Sequence, residues 1–335
     1  MTGVTSEAAF SALQKEKEAR FLDLTSDTVA ERLDAQIRGA TVLISGVTPG
    51  SLGADAARVI AAHGPKLLIL ANRSEKSLET TTATIKEANP GANVKPLVMD
   101  LASQQSVRSA AAVVLSLTSV VDVLINSAAV MLVPEFTTTP EGIEMHFGTN
   151  HIGHFLFTNL IMPALLVSPA PRVVNISAAS HRSSPIRFDD YNFASGKEYE
   201  PFLGYAQSKC ANLLFTVSLA QKLGKKGLVA IGVDPGGSIT NLFYRAQRSI
   251  LIKHGWADEN GEPTEALKAT VKTVPQATAN YIMAGYDPTL RDNNGGVITV
   301  CEIDHSIPDH AKDPVLAEKL WKLSEKIVGQ EFSYE

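Results

Sequence analysis

The hydrophobic and polar positions along the chain fall into two regimes. Between residues 6 and 38, Phe10, Leu13, Phe21 and Leu22, then Val29, Leu33 and Ile37, recur at helical spacing among charged residues. That spacing predicts two polar-faced helices packed on the main body of the chain. From Thr41 onward, short β-rich apolar runs at 41–45, 66–71, 94–99, 121–126, 172–177, 228–233 and 297–300 alternate with helix-length stretches. The runs are continuously apolar, as expected of strands covered on both faces, and the stretches between them are long enough for crossover connections. The pattern predicts a Rossmann-type, doubly wound α/β fold, a seven-stranded parallel sheet with helices on both faces. It occupies a single domain over 41–335, preceded by a helical extension over 1–40. Two segments break the alternation, 182–204 and 239–275. Both follow strand C-termini, where open α/β sheets bind ligands, so both are candidate pocket walls and 239–275 is a candidate substrate lid.

Composition narrows the function classes. A chain of 335 residues, 44% hydrophobic and 19% charged, can bury a large core. Its 30 basic and 35 acidic residues leave a net charge of −5, which offers no attraction to nucleic acid. The two cysteines, Cys210 and Cys301, lie within regular segments and read as buried thiols, neither a disulfide nor a metal cluster. Glu7, Glu16, Glu18 and Asp23 interrupt the first forty residues, which argues against a signal or transit peptide, and no run is long enough to span a bilayer. A reducing cytoplasm is the expected setting. His146, His151, His154 and His181 cluster in sequence without the carboxylate and cysteine partners that metal sites recruit. They read as structural or pocket-lining, with no metal.

The first run is followed by Ser45-Gly46-Val47-Thr48-Pro49-Gly50-Ser51-Leu52-Gly53 and an alanine-rich helical stretch. Glycines between a strand and a helix let backbone N–H groups approach a pyrophosphate at the helix N-terminus, where the dipole favours negative charge. Gly46, Gly50, Ser51, Leu52 and Gly53 are therefore candidate cofactor-binding residues. The second run ends Asn72-Arg73-Ser74, without the acidic residue that would bond both ribose hydroxyls of NAD. Arg73 and Ser74 instead offer donors to a 2′-phosphate, so NADP(H) is the predicted cofactor. Asp100 and Leu101, ending the third run, are expected beside the adenine.

Tyr205 and Lys209 lie four apart in a helical stretch and so share a face. A neighbouring ammonium stabilises phenolate and lowers a phenol's pKa, which lets the pair exchange a proton with a substrate oxygen during hydride transfer. In this context the segment from Thr41 to Ile303 resembles the short-chain dehydrogenases/reductases, particularly the retinol-dehydrogenase-like branch and its fungal relatives. Asn126-Ser127-Ala128-Ala129 stands where that family has Asn-Asn-Ala-Gly, and Asn150 in Thr149-Asn150-His151-Ile152-Gly153 matches its relay asparagine. Asp234-Pro235-Gly236 and Thr240 match its Pro-Gly turn and its nicotinamide-contacting threonine. The glycine spacing is one residue longer than the family's. The resemblance implies a tetrad of asparagine, serine, tyrosine and lysine, with Lys209 also bonding the nicotinamide ribose. Three members are Asn150, Tyr205 and Lys209. The serine position aligns with Ala178; Ser177 points elsewhere, and Ser180, His181 or Ser183 are the candidates to replace the hydroxyl. Ala129, in place of glycine, adds a methyl near the cofactor. Trp256 and the aromatic stretch Leu242-Phe243-Tyr244 in 239–275 are either core residues or an apolar cap, and a cap implies an apolar carbonyl or alcohol, a small molecule, as substrate. Two functions stay open: an NADP-dependent oxidoreductase, or a scaffold that binds NADP(H) without efficient hydride transfer and serves a regulatory or non-redox biosynthetic role. The family also implies a homo-oligomer, unless the N-terminal extension covers the usual interface.

Overall fold

The structure, a computed structural model, describes residues 24–334. All seven apolar runs form strands: β1 (Thr41–Ser45), β2 (Leu67–Asn72), β3 (Val94–Val98), β4 (Val123–Asn126), β5 (Arg172–Ile176), β6 (Val229–Asp234) and β7 (Val297–Thr299). They pair in parallel in the order β3-β2-β1-β4-β5-β6-β7. An eighth strand, β8 (Glu302–Ile303), adds antiparallel to β7. Where the sequence pattern runs on to residue 300, Val300 and Cys301 take φ of +55° and +58° and reverse the chain. Asn280 Oδ1 accepts the Cys301 N–H at 2.7 Å and pins that reversal. A two-residue strand has no periodicity to read, which is why the pattern predicts seven strands and the sheet has eight.

Alternate residues along each strand feed opposite faces. Val42 and Ile44 pack on one side with α1 (Ser26–Arg32), α2 (Leu52–Ala62), α3 (Glu75–Ala88) and the helix over Val274–Tyr286. Leu43 packs on the other with α4 (Gln104–Leu117), α5 (Gly153–Leu160), α6 (Pro201–Leu223) and the C-terminal helix Pro314–Val328. On that face Trp321 lies 5.0 Å from the Phe155 ring and donates Nε1–H to Glu325. Edge strand β3 departs from the continuous apolar pattern: Lys95, Pro96 and Val98 are exposed, and Pro96 is tolerated because an edge strand has one unpaired side.

The second predicted N-terminal helix forms as α1, then breaks at Leu33 before a further turn, Asp34–Ile37. Val29 and Ile37 are buried, and Arg58 of α2 bonds both Asp27 and Asp55 at 2.8 Å. The first predicted helix, with Phe10, Leu13, Phe21 and Leu22, lies outside the described residues. Among the described residues, no helix is long and apolar enough to cross a membrane.

Candidate active site

Strand order reverses between β1 and β4, so the helices that follow them pack on opposite faces of the sheet and a crevice opens at the strand C-termini. Gly46 takes φ +82°, and a Cβ there would lie 2.5 Å from Ala128 Cα, so the two loops touch backbone to backbone. A Cβ on Gly53 would lie 2.6 Å from the Gly46 carbonyl oxygen, so the first turn of α2 also packs on this loop. The extra residue in the glycine spacing is absorbed by a Pro49-Gly50 turn, closed by Ser51 N–H donating to Thr48 O at 2.9 Å. Ser51 then caps α2, accepting from Ala54 N–H at 3.1 Å and donating to Gly46 O at 3.0 Å. An eleven-residue helix thus presents its N-terminus to the crevice.

A cavity of about 610 Å³ runs from Arg73, Asp100 and Leu101 past Gly46, Ser51, Leu52 and Ala128 to Tyr205 and Lys209, bordered by Pro235, Gly236 and Thr240. Of the residues singled out in the sequence, Gly50, Gly53, Ser74, Asn126 and Asn150 stand outside its lining. The first two shape the loop. Ser74 caps α3, accepting from Ser77 N–H at 3.2 Å. Asn126 points into the sheet, donating to Thr158 and Asn175 at 3.0 and 2.9 Å.

Asn150 sits in a π-helical turn, Phe147–Ile152, that feeds α5. Its side chain is fully engaged: Oδ1 accepts from Val130 N–H at 2.8 Å, and Nδ2 donates to Val130 O at 2.9 Å and to Ser208 Oγ at 3.0 Å. Ser208 in turn donates to Tyr205 O at 2.7 Å. Asn150 therefore clamps the loop after β4 to α6 and does not reach toward the phenol itself.

Tyr205 and Lys209 share a face of α6, with Nζ 5.5 Å from the centre of the phenol ring and donating to Ile176 O at 3.0 Å. The sequence leads one to expect a lowered phenol pKa; the protein's own groups act in the opposite direction. Burial pushes Tyr205 up, and the Asp234 carboxylate and Tyr281 add to it. Burial also pushes the Lys209 ammonium down to about 8, against the pull of Asp234. Desolvation is the largest cause of both shifts because both groups are buried.

At the serine position, Ser177 donates to Lys209 O at 2.8 Å, and Ala178 faces the cavity in extended conformation. The chain then curls into a 3₁₀ turn, Ala179–Arg182. This brings Ser180 back to the cavity wall, its hydroxyl buried and without a hydrogen-bond partner among the described residues. Ser183 also lines the cavity. His181 does not: its Nδ1 donates to Ala178 O at 2.7 Å, and burial pushes its pKa down.

The far wall is apolar. Leu132, Phe243, Leu251 and Ala257 form a cluster joined by Phe202 and Trp256. The segment 239–275 supplies much of it through two short helices, α7 (Asn241–Arg245) and α8 (Arg248–Lys253). Asn241 Nδ2 donates to Pro49 O at 2.5 Å, bridging this segment to the glycine loop. Phe243 is buried whereas Tyr244 is 57% exposed, so the aromatic stretch divides between cavity and surface.

The histidine region corrects one expectation. His146 has a carboxylate partner: Nδ1 donates to Glu144 Oε1 at 2.7 Å, and Val133 N–H donates to Nε2 at 3.1 Å, with both side chains fully buried. Glu144 lies only two residues upstream, where sequence distance alone gives no orientation. Among the described residues, no group of three or more His, Cys, Asp or Glu is placed to hold a metal ion. Sequence reasoning also passed over Ser45 and Tyr281, which line the cavity; a polar last residue on an otherwise apolar strand was the signal for Ser45.

The sequence profile described as short chain dehydrogenase matches residues 40–249. The chain is 34% identical over 318 residues to a Brassica napus protein named short-chain dehydrogenase TIC 32 A, chloroplastic, covering 91% of this chain and 92% of that one. It is 33% identical over 297 residues to human retinol dehydrogenase 13, covering 89% and 87%. A solved structure from Mycobacterium paratuberculosis, 30% identical, superposes with a TM-score of 0.68 over 94% of this chain and 98% of that one.

Proposed function

This chain belongs to the short-chain dehydrogenase family, and from that premise we propose that it is an NADP(H)-dependent oxidoreductase that reduces a ketone or aldehyde, or oxidises the matching secondary alcohol, on an apolar small molecule. The observation that carries the reading is one continuous cavity lined by Ser51 at a helix N-terminus, by Tyr205 and Lys209, and by Ser180, whose buried hydroxyl has no partner among the described residues. Support for a dinucleotide is the glycine loop, in which Gly46 packs backbone to backbone on Ala128 and Ser51 caps a helix whose N-terminus faces the crevice. Gly46, Ser51 and Leu52 would hold the pyrophosphate, Asp100 and Leu101 the adenine, and Lys209, Pro235, Gly236 and Thr240 the nicotinamide riboside. Arg73, exposed at the cavity rim after a strand ending in Asn72, favours a 2′-phosphate. A reduced nicotinamide, when bound, supplies the hydride.

The chain's own residues handle the proton and the developing charge. Tyr205 is protonated in its buried site and lines the cavity, so it is the residue placed to protonate the substrate oxygen, although burial raises its pKa and by itself opposes release of that proton. Lys209, anchored on Ile176 O, supplies the positive charge that stabilises the phenolate left behind. Ser180 is the donor to the reacting oxygen in place of the serine absent at Ala178. The segment 239–275 is the substrate lid, its Phe243, Trp256 and Leu267 side chains favouring an apolar body. The buried thiols Cys210 and Cys301 favour a reducing, cytoplasmic setting.

The methyl of Ala178 on the cavity wall favours a second reading, NADP(H) binding without efficient hydride transfer. Absorbance at the reduced-nicotinamide band, with NADPH or NADH and a panel of apolar ketones and aldehydes, separates the two. Substrate-dependent consumption that disappears in Tyr205→Phe supports the oxidoreductase. Tight NADPH binding without consumption across the panel supports the second reading.

A further inference from the structure

The loop after β4 is held at two points, by Ser45 at its start and by Asn150 at Val130. Ser45 Oγ accepts the N–H groups of Ser127 at 3.0 Å and Ala128 at 3.2 Å. Asn150 takes both the N–H and the carbonyl of Val130. The two holders stand 105 residues apart in sequence, and one side chain bridges them: His154 Nε2 lies 2.9 Å from Ser45 Oγ, and Nδ1 lies 3.0 Å from the Asn150 carbonyl oxygen.

Hydrogen-bond accounting decides the tautomer. A hydroxyl has one proton and two lone pairs; the lone pairs of Ser45 are taken by two backbone N–H groups, so its proton goes to His154 Nε2. The Asn150 carbonyl can only accept, so Nδ1 carries the hydrogen. Both ends require the same neutral form. The residue is 2% exposed; burial pushes its pKa down to about 4, against the pull of the Asn150 hydrogen bond and with the help of the Lys209 charge.

We infer that His154 is a positioning residue: a neutral, Nδ1-protonated imidazole that ties the Asn150 turn to Ser45 and so sets the cofactor-facing loop 127–130 in register with the Tyr205 and Lys209 helix. Its role in turnover rests on the oxidoreductase reading above; its role in cofactor binding and its tautomer do not require turnover. The two arms are separable by substitution, because this helix already contains a side chain that returns to the preceding turn: Asn159 Nδ2 donates to Phe155 O, four residues back, at 2.8 Å. His154→Asn keeps the arm to Asn150 and abandons Ser45. His154→Gln reaches toward Ser45 and abandons the Asn150 carbonyl.

The test combines spectroscopy and binding. In long-range ¹H–¹⁵N spectra of the histidine-labelled wild-type protein, His154 should show a protonated Nδ1 and an unprotonated Nε2 from pH 6 to pH 8; the opposite tautomer, or an imidazolium, overturns the proposal. By fluorescence titration, His154→Asn should raise the NADPH Kd about tenfold, the loss of one buried hydrogen bond, with a smaller change in kcat. His154→Gln should lower kcat about tenfold with a smaller change in Kd. An NADPH Kd that is the same in wild type and both variants overturns the proposal, as does an equal loss of Kd and kcat in both. Should either variant fail to fold, the wild-type tautomer still decides. A wild-type protein that turns over no carbonyl while the tautomer and Kd behave as stated counts against the oxidoreductase reading alone.

Discussion

Ser180→Ala tests the least conventional feature of this site. The Ser180 hydroxyl is buried at the cavity wall and has no partner among the described residues, whereas Ser177 is bonded to Lys209 O and Ala178 has no hydroxyl to offer. If Ser180 donates to the reacting oxygen, removing it deletes one donor to developing negative charge, which lowers kcat by roughly 10²–10³, or about 3–4 kcal/mol in the barrier. Stability should move the other way. A buried, unpaired hydroxyl costs on the order of 1–3 kcal/mol, so alanine should leave the melting temperature unchanged or raise it by about 2 °C or more. Steady-state NADPH consumption and thermal unfolding on the same preparation read both quantities. Adding Ala178→Ser to Ser180→Ala supplies a hydroxyl at the neighbouring cavity-facing position and should recover much of the lost rate. The reasoning is refuted if Ser180→Ala retains kcat within about threefold of wild type, a loss too small for a donor to the reacting oxygen.

The same geometry sets further expectations. Tyr205→Phe should lower kcat by about 10²–10⁴, the contribution of a general acid, with NADPH affinity by titration changing far less. Burial lowers Lys209 to about 8, so its stabilising charge is present below that pH and lost above it; the rate of carbonyl reduction should fall as pH rises through about 8, and a flat profile from pH 7 to 9.5 contradicts this. The same shift means that the unfolded chain binds more protons between about 8 and the ordinary lysine value, so Lys209 makes stability rise with pH across that window, as denaturant titration of wild type against Lys209→Met can check. Arg73→Ala should raise the KM for NADPH by about ten- to a hundredfold, the loss of a charge-assisted bond, and leave that for NADH nearly unchanged. Trp321→Ala removes a fully buried indole from the Phe155 and Phe215 cluster and should cost about 3–5 kcal/mol in chemical denaturation, with the cavity residues untouched.

What could be read from the sequence by itself is what depends on short separations. The parallel strands other than edge strand β3 were legible because a doubly covered strand is largely apolar, and the pairing of Tyr205 with Lys209 because helical geometry brings residues four apart together. The glycine loop was legible because positive φ and close backbone approach exclude other residues, as at Gly46. The tertiary structure decided matters in which distant segments meet or burial changes an energy. Whether Ser180, His181 or Ser183 faces the cavity depended on how the 3₁₀ turn after β5 curls, and no periodic signal carries that. The role of Asn150 as a clamp, and the bridge from His154 to Ser45, depend on strands and helices far apart along the chain. The direction of the Tyr205 shift reversed for the same reason: spacing reveals a neighbouring charge, but only packing reveals how little water remains to solvate it.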